Sequence, residues 1–253
     1  MDRDIHNDVT MRRLGLEVMA LALEEQLKQP EILALPFDER LEILLSRQIA
    51  ANDERKLERL IKQANLKVLA WPQDIRYSTE RNLTQEVVKP ILQHYWIEKR
   101  MNVLITGSAG TGKTWLACAF AVQAAMWGFS ILYMRASDLY LQLELARGTG
   151  TLHKLYAKLR RKSLLIIDDF GLAPLTIMLR QDLQIIIDDS YGHRSLIITS
   201  QLPVNSWHDY IADPTFADAI LDRLKFSSQK LELRGESQRA FSQSPGPRGT
   251  YDA

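Results

Sequence analysis

The apolar run Asn102–Thr106 leads without a break into Gly107-Ser108-Ala109-Gly110-Thr111-Gly112-Lys113-Thr114, and no other stretch limits the fold of this chain so tightly. Its glycines let successive backbone N–H groups curl inward without Cβ clashes, giving a concavity suited to phosphate. The helix expected next, Gly112–Trp127, turns its positive end to the same point. Lys113 then supplies a point charge to the terminal phosphates, and the Thr114 hydroxyl reaches a magnesium ion. A loop of this kind works between a strand and a helix, so it commits the chain to a layered α/β architecture.

The sequence around it agrees. Further short apolar runs follow at Ser130–Met134, Leu164–Asp168, Ser195–Thr199 and, more weakly, Lys230–Leu233. They alternate with helix-like segments at Ala136–Ala146, Thr151–Arg161, Ile177–Tyr191 and Phe216–Leu224. Strands this apolar, separated by helices, predict a parallel sheet covered on both faces. The fold expected is that of a P-loop nucleoside triphosphatase, with ATP and Mg2+ as ligands.

Two strand ends carry further chemistry. Leu164-Leu165-Ile166-Ile167 closes in Asp168-Asp169, which places two carboxylates at the sheet edge where the phosphate loop lies. Asp168 is expected at the magnesium ion with Thr114, and Asp169 beside the attacking water. Ile197-Ile198-Thr199 ends in Ser200-Gln201, so Gln201 or Ser200 reaches the water or γ-phosphate if this strand neighbours the Asp168 strand; a plain turn before Pro203 is the alternative.

Residues 1–77 read as a small all-helical domain, 78–241 as the nucleotide-binding domain and 242–253, with Pro245, Gly246, Pro247 and Gly249, as a disordered tail. An apolar stripe from Leu14 to Leu27 ends at Pro30 and Pro36, and a second helix begins near Asp38 with Leu41, Ile43, Leu44, Leu45 and Ile49 inward. The single cysteine, Cys118, excludes an internal disulfide and any thiolate metal cluster. With no secretory leader and no apolar stretch near the roughly 20 residues of a membrane helix, a cytoplasmic location is expected. Thirty-two basic against 31 acidic residues give a net charge of +1, so any affinity for nucleic acid must be local. Lys154, Lys158, Arg160 and Arg161 form one basic segment; Arg55, Lys56 and Arg59 form another. Each reads either as a DNA phosphate contact or as ordinary structure, a solvated helix face for the first and a subunit-linking bundle for the second.

The three nucleotide motifs, together with Trp115-Leu116-Ala117-Cys118-Ala119, Phe170-Gly171-Leu172-Ala173-Pro174-Leu175, Asp213-Pro214-Thr215 and Ala217–Leu224, resemble the IstB-like family of insertion-sequence helper ATPases. The resemblance runs from Leu23-Glu24-Glu25 to Gly235-Glu236-Ser237. It implies an AAA+ ATPase that assembles into homo-oligomeric rings or helices with ATP between subunits, on duplex DNA, beside a cognate IstA-like transposase. By motif position it makes Arg223 the arginine that reaches a neighbour's γ-phosphate; without it, a surface ion pair is the simpler reading. Ser190 and His193 stand where the family commonly carries basic residues. A DnaC-like helicase loader is the alternative function, separable by helicase binding. A small-molecule kinase would need an acceptor pocket and an arginine-rich lid, and the sequence offers neither.

Overall fold

A computed structural model of the chain describes residues 2–238, with side chains from residue 8. The expected tail, 242–253, lies outside the described residues, as does the end of the expected nucleotide-binding domain. The described residues divide into two compact units at the boundary between Arg59 and Leu60. The division falls inside a helix, whereas the sequence reading placed its boundary at 77, where strand-free sequence ends.

In the first unit, α1 (Asp2–Arg13) and α2 (Glu17–Leu27) are separated at Leu14-Gly15. Pro30 opens the short α3 (Pro30–Leu33) at its first position, where a missing N–H costs nothing. The long α4 (Phe37–Ala64) then carries the chain across the unit boundary. The small core is Met19, Ala22 and Leu44, with Met11, Leu16, Leu23 and Leu41 against it. Within it the buried Gln48 side chain accepts from the Met19 N–H at 3.0 Å. The inward seam of α4 is therefore Leu41, Leu44 and Gln48, at helical spacing. Leu45 and Ile49, expected inward, lie one residue round the helix and are exposed.

The second unit begins with the end of α4 and a 3-10 turn at Pro72–Asp74, which packs on the helix after the phosphate loop. Two single-turn helices follow, α5 (Gln85–Val88) and α6 (Tyr95–Glu98), then the alternating region: β1 (Asn102–Gly107), α7 (Lys113–Met126), β2 (Ile131–Arg135), α8 (Ala136–Gly148), α9 (Leu152–Arg160), β3 (Leu164–Phe170), α10 (Ile177–Asp188), β4 (Ser195–Ser200), α11 (Trp207–Ile211), α12 (Pro214–Phe226) and β5 (Ser228–Leu233). All four strand pairings are parallel, in the order β2-β3-β4-β1-β5. Parallel strands buried on both faces cannot alternate polar with apolar, which is why β1, β3 and β4 stand out in the sequence as continuous runs. Val103–Ile105, Leu164–Ile167 and Leu196–Ile198 are at most 1% exposed. Among the described residues no helix is long and apolar enough to cross a membrane.

Helix starts show what the sequence motifs do locally. Asp213 caps α12 by accepting from the Thr215 and Phe216 N–H groups, with Pro214 at the first position, and Thr176 caps α10 through the Leu179 N–H. At the other end of α10, the Ser190 hydroxyl donates to the Ile186 carbonyl at 2.6 Å and accepts from Arg194 Nε at 2.7 Å. Arg194 also donates to that carbonyl, so a cation closes the negative end of the helix. Ser190 is buried in this contact, and a longer side chain there would have to displace Arg194. Burial pushes the Arg194 guanidinium down to about 10, which leaves it protonated at neutral pH.

Ile166 lies at the centre of β3 with no exposed surface. Ile166→Ala is expected to cost about 2–5 kcal/mol in chemical denaturation, against about 0.5 kcal/mol or less for Leu145→Ala on the exposed face of α8.

Candidate nucleotide site

The order of the sheet brings the three motifs to one edge. β4 lies between β1 and β3, so the loop after β1 and the ends of β3 and β4 open on the same cavity. That cavity, about 1090 Å³, is walled by Gly110, Gly112, Lys113 and Thr114 on one side and by Asp169 and Gln201 on another.

The phosphate loop has the backbone its sequence requires. Gly110 and Gly112 take φ of +82° and +92°, where a side chain is strained. A Cβ on Gly110 would also stand 2.8 Å from that of Ser237, because the segment after β5 lies on the loop and the Gln238 N–H donates to the Gly110 carbonyl at 2.8 Å. Unlike α10 and α12, α7 has no side-chain cap: Gly112 occupies that position in a left-handed conformation. The first N–H groups of α7 are therefore without a capping side chain, as an anion-binding helix start requires. Lys113 is 6% exposed, and its ammonium donates to the Gly107 and Ser108 carbonyls, both at 2.8 Å.

Asp168 is fully buried and gathers three hydroxyls. Thr114 donates to it at 2.9 Å, Tyr133 at 2.6 Å and Thr199 at 2.5 Å. Burial, and then the bond to Asp168, raise the Tyr133 phenol well above its ordinary range, so it remains a donor. Thr199 also accepts from the Asp169 N–H at 3.0 Å. The β3–β4 register shifts between Ile167 and Phe170, and Asp169 sits in that irregularity at φ +60°. A local bulge of this kind re-aims a side chain. Here it turns Asp169 to the cavity while Asp168 stays under the loop.

The residues fit a magnesium ion held with a nucleotide. Thr114 and Asp168 are hard oxygen donors 2.9 Å apart beside the phosphate loop. No group of three or more His, Cys, Asp or Glu that could hold a metal occurs among the described residues. An ion that keeps its waters and shares substrate phosphates needs no such cage.

Of the pair Ser200 and Gln201, only Gln201 lines the cavity. The Ser200 hydroxyl donates to the Phe170 carbonyl and accepts from the Leu202 N–H, bracing the turn. Arg223 on α12 is ion-paired to Asp188 and donates to the Ala219 carbonyl. In the basic segment, Lys154, Lys158 and Arg161 line one shallow surface depression with Lys162. Arg160 is held by both carboxylate oxygens of Asp189, at 2.7 and 3.0 Å. On α4, Arg55 pairs with Glu17, while Lys56 and Arg59 are exposed.

Tyr133 and Thr199 were not singled out in the sequence. Each is a polar residue at an inward position of an apolar strand, which is the one signal that could have marked them. Thr199→Val removes a donor to Asp168 and the acceptor for the Asp169 N–H at nearly constant volume. A loss of about 1–3 kcal/mol in denaturant unfolding is expected, with Thr199→Ser within about 1 kcal/mol of the parent.

Comparison with known proteins identifies the family and the fold. The family model described as IstB-like ATP binding protein matches residues 9–245. An insertion sequence ATP-binding protein of Sinorhizobium fredii is 42% identical over 90% of this chain and 94% of its own. The ATP-binding protein of insertion sequence IS1162 from Pseudomonas fluorescens is 44% identical over 78% of this chain and 86% of its own. Among solved structures, the DnaC helicase loader superposes with a TM-score of 0.56 at 19% identity, covering 65% of this chain and 97% of that one. The replication initiator DnaA bound to AMPPCP and single-stranded DNA gives 0.58 at 22% identity, over 68% and 52%. At these identities the likeness shows a shared AAA+ fold. With the family match spanning nearly all of its length, the chain belongs to the IstB-like ATP binding protein family of insertion sequences.

Proposed function

We propose that this protein is an ATP-hydrolysing helper of transposition, which assembles on duplex target DNA, remodels it and recruits the partner transposase. The observation that carries the reading is the single cavity shared by the phosphate loop, Asp169 and Gln201, in a chain whose relatives are encoded by insertion sequences.

The loop N–H groups and Lys113 bind the triphosphate, while Thr114 and Asp168 hold the magnesium ion. That ion, when bound, neutralises charge on the β- and γ-oxygens. Tyr133 and Thr199 keep the Asp168 carboxylate oriented without occupying the cavity. Asp169 accepts the proton of the attacking water, and Gln201 positions that water. Arg223 acts on the γ-phosphate of a neighbouring copy, exchanging its ion pair with Asp188 for the developing phosphoryl charge. ATP then favours the assembled state by bridging charges at the interface, and loss of the γ-phosphate removes that preference. Lys154, Lys158, Arg161 and a released Arg160 neutralise DNA phosphates, and Arg55, Lys56 and Arg59 of the first unit make a phosphate contact of their own. Backbone contact of this kind tolerates many sequences, as a target-site protein needs. The likeness to a helicase loader extends to the fold alone, and binding to a replicative helicase would favour that second reading.

Lys113→Ala should lose ATP binding in calorimetry, and DNA assembly with it. Asp169→Asn should bind ATP within a few-fold of the parent and lose turnover by about 100-fold or more; normal turnover in that variant would falsify its assigned role. Mixing Arg223→Ala with Lys113→Ala should restore part of the turnover that each lacks alone, whereas no recovery would place Arg223 outside the neighbour's site. Neutralising Lys154, Lys158 and Arg161 together should reduce the slope of log affinity against log salt by about 3, at roughly 0.9 per phosphate contact on duplex DNA. An unchanged slope would remove that segment from the DNA surface.

A further inference from the structure

Arg81 belongs to none of the nucleotide motifs, yet its guanidinium reaches the phosphate loop. Nη2 donates to the Thr111 carbonyl at 2.9 Å, and a Cβ on Gly112 would stand 3.3 Å from that nitrogen. Gly112 is thus constrained both by its φ and by the closeness of a cation. The position of Arg81 is fixed by its backbone. Ser78 and Leu83 exchange both hydrogen bonds of a two-residue bridge, at 2.9 and 3.0 Å. Asn82 donates to the Glu232 carbonyl, and the Arg81 carbonyl accepts from the Arg234 N–H. The loop from 78 to 83 is therefore tied to the end of β5, directly beside the phosphate loop.

The guanidinium is poorly compensated where it lies. Its acceptors are two neutral carbonyls, Thr111 and, at 3.3 Å, Arg76. Nε is buried without a partner. No ion pair with Arg81 occurs among the described residues, and desolvation alone lowers its pKa. A half-buried guanidinium that faces only neutral carbonyls, with Nε shut off from water and unpartnered, leaves its charge open to an anion. The cavity that Arg81 lines together with Gly110, Gly112 and Lys113 offers a place for such an anion.

We propose that Arg81 is a nucleotide-binding residue, supplied by the segment before the sheet, whose guanidinium neutralises the polyphosphate alongside Lys113. The proposal rests on the reading of this cavity as the ATP site. It assigns the bridge Ser78–Leu83 the task of presenting a rigid fork to an oxyanion, which a planar guanidinium meets better than an ammonium does.

The test uses the full-length protein with ATP and inorganic tripolyphosphate as separate probes, measured by calorimetry, and thermal unfolding without ligand. Arg81→Gln keeps a hydrogen-bond donor but no charge. It should weaken both probes by a similar factor, about 10- to 100-fold, with the unliganded midpoint unchanged within about 2 °C. Arg81→Lys should recover part of the loss. Three results would overturn the proposal: parental affinity in Arg81→Gln; a loss for ATP but not for tripolyphosphate, which would move the contact to base or ribose; or a lowered midpoint with no recovery by lysine, the mark of a loop brace. If the parent protein itself binds neither probe, the ATP reading fails rather than the role of Arg81.

Discussion

The carboxylate of Asp168 is the point on which the nucleotide site is assembled. It has no exposed surface and accepts from Thr114 after the phosphate loop, Tyr133 on β2 and Thr199 on β4. A buried carboxylate is tolerated only when its lone pairs are used. Here the requirement works as a fastener, drawing three elements from different parts of the chain to one strand end. The strand order makes this possible, since β4 must lie beside β3 for Thr199 to reach both acidic residues. The same hydroxyl holds the backbone of Asp169 at its positive φ and so aims the second carboxylate at the cavity.

Charge placement elsewhere follows one rule, that a desolvated ion is matched or waits for a ligand. Asp182, 1% exposed, accepts from Arg147 at 2.5 Å and from the Tyr156 hydroxyl at 2.7 Å. Arg194 is satisfied in part by a helix end, and Arg223 is paired with Asp188. Arg81, with no acidic partner among the described residues, is the case that waits: it lines the cavity in which the proposed anion would lie. The basic segment of α9 divides in the same way: Arg160 is spent on Asp189, whereas Lys154, Lys158 and Arg161 face a common depression. A run of basic residues in sequence is thus a weaker statement than a basic surface, because acids more than 20 positions away decide which members remain available.

What could be read from the sequence was whatever repeats locally or is dictated by a backbone requirement. The phosphate loop announces itself because close approach to phosphate restricts residue type at each step. β1, β3 and β4 appear as apolar runs because double burial forbids alternation, and their ends fall within two residues of expectation. Asp168 and Asp169 could be named for the same reason, as charges ending such a run. The first unit was less legible. Its helices are amphipathic with narrow seams, so Leu45 and Ile49 look as inward as Leu44 until packing shows otherwise.

The sequence by itself determined the parallel α/β architecture, the Gly-rich loop between β1 and α7 and the two acidic residues at the end of β3, since these follow from backbone sterics and burial within a few adjacent residues. Only the tertiary structure decided that Tyr133 and Thr199 hold Asp168, that Ser200 is spent on a turn, that Arg223 rests on Asp188 and that Arg81 reaches Thr111. Each of these joins residues about 30 or more positions apart. A hydrogen bond across such a separation leaves no periodicity in the chain, because it is set by strand order and register rather than by neighbours in sequence.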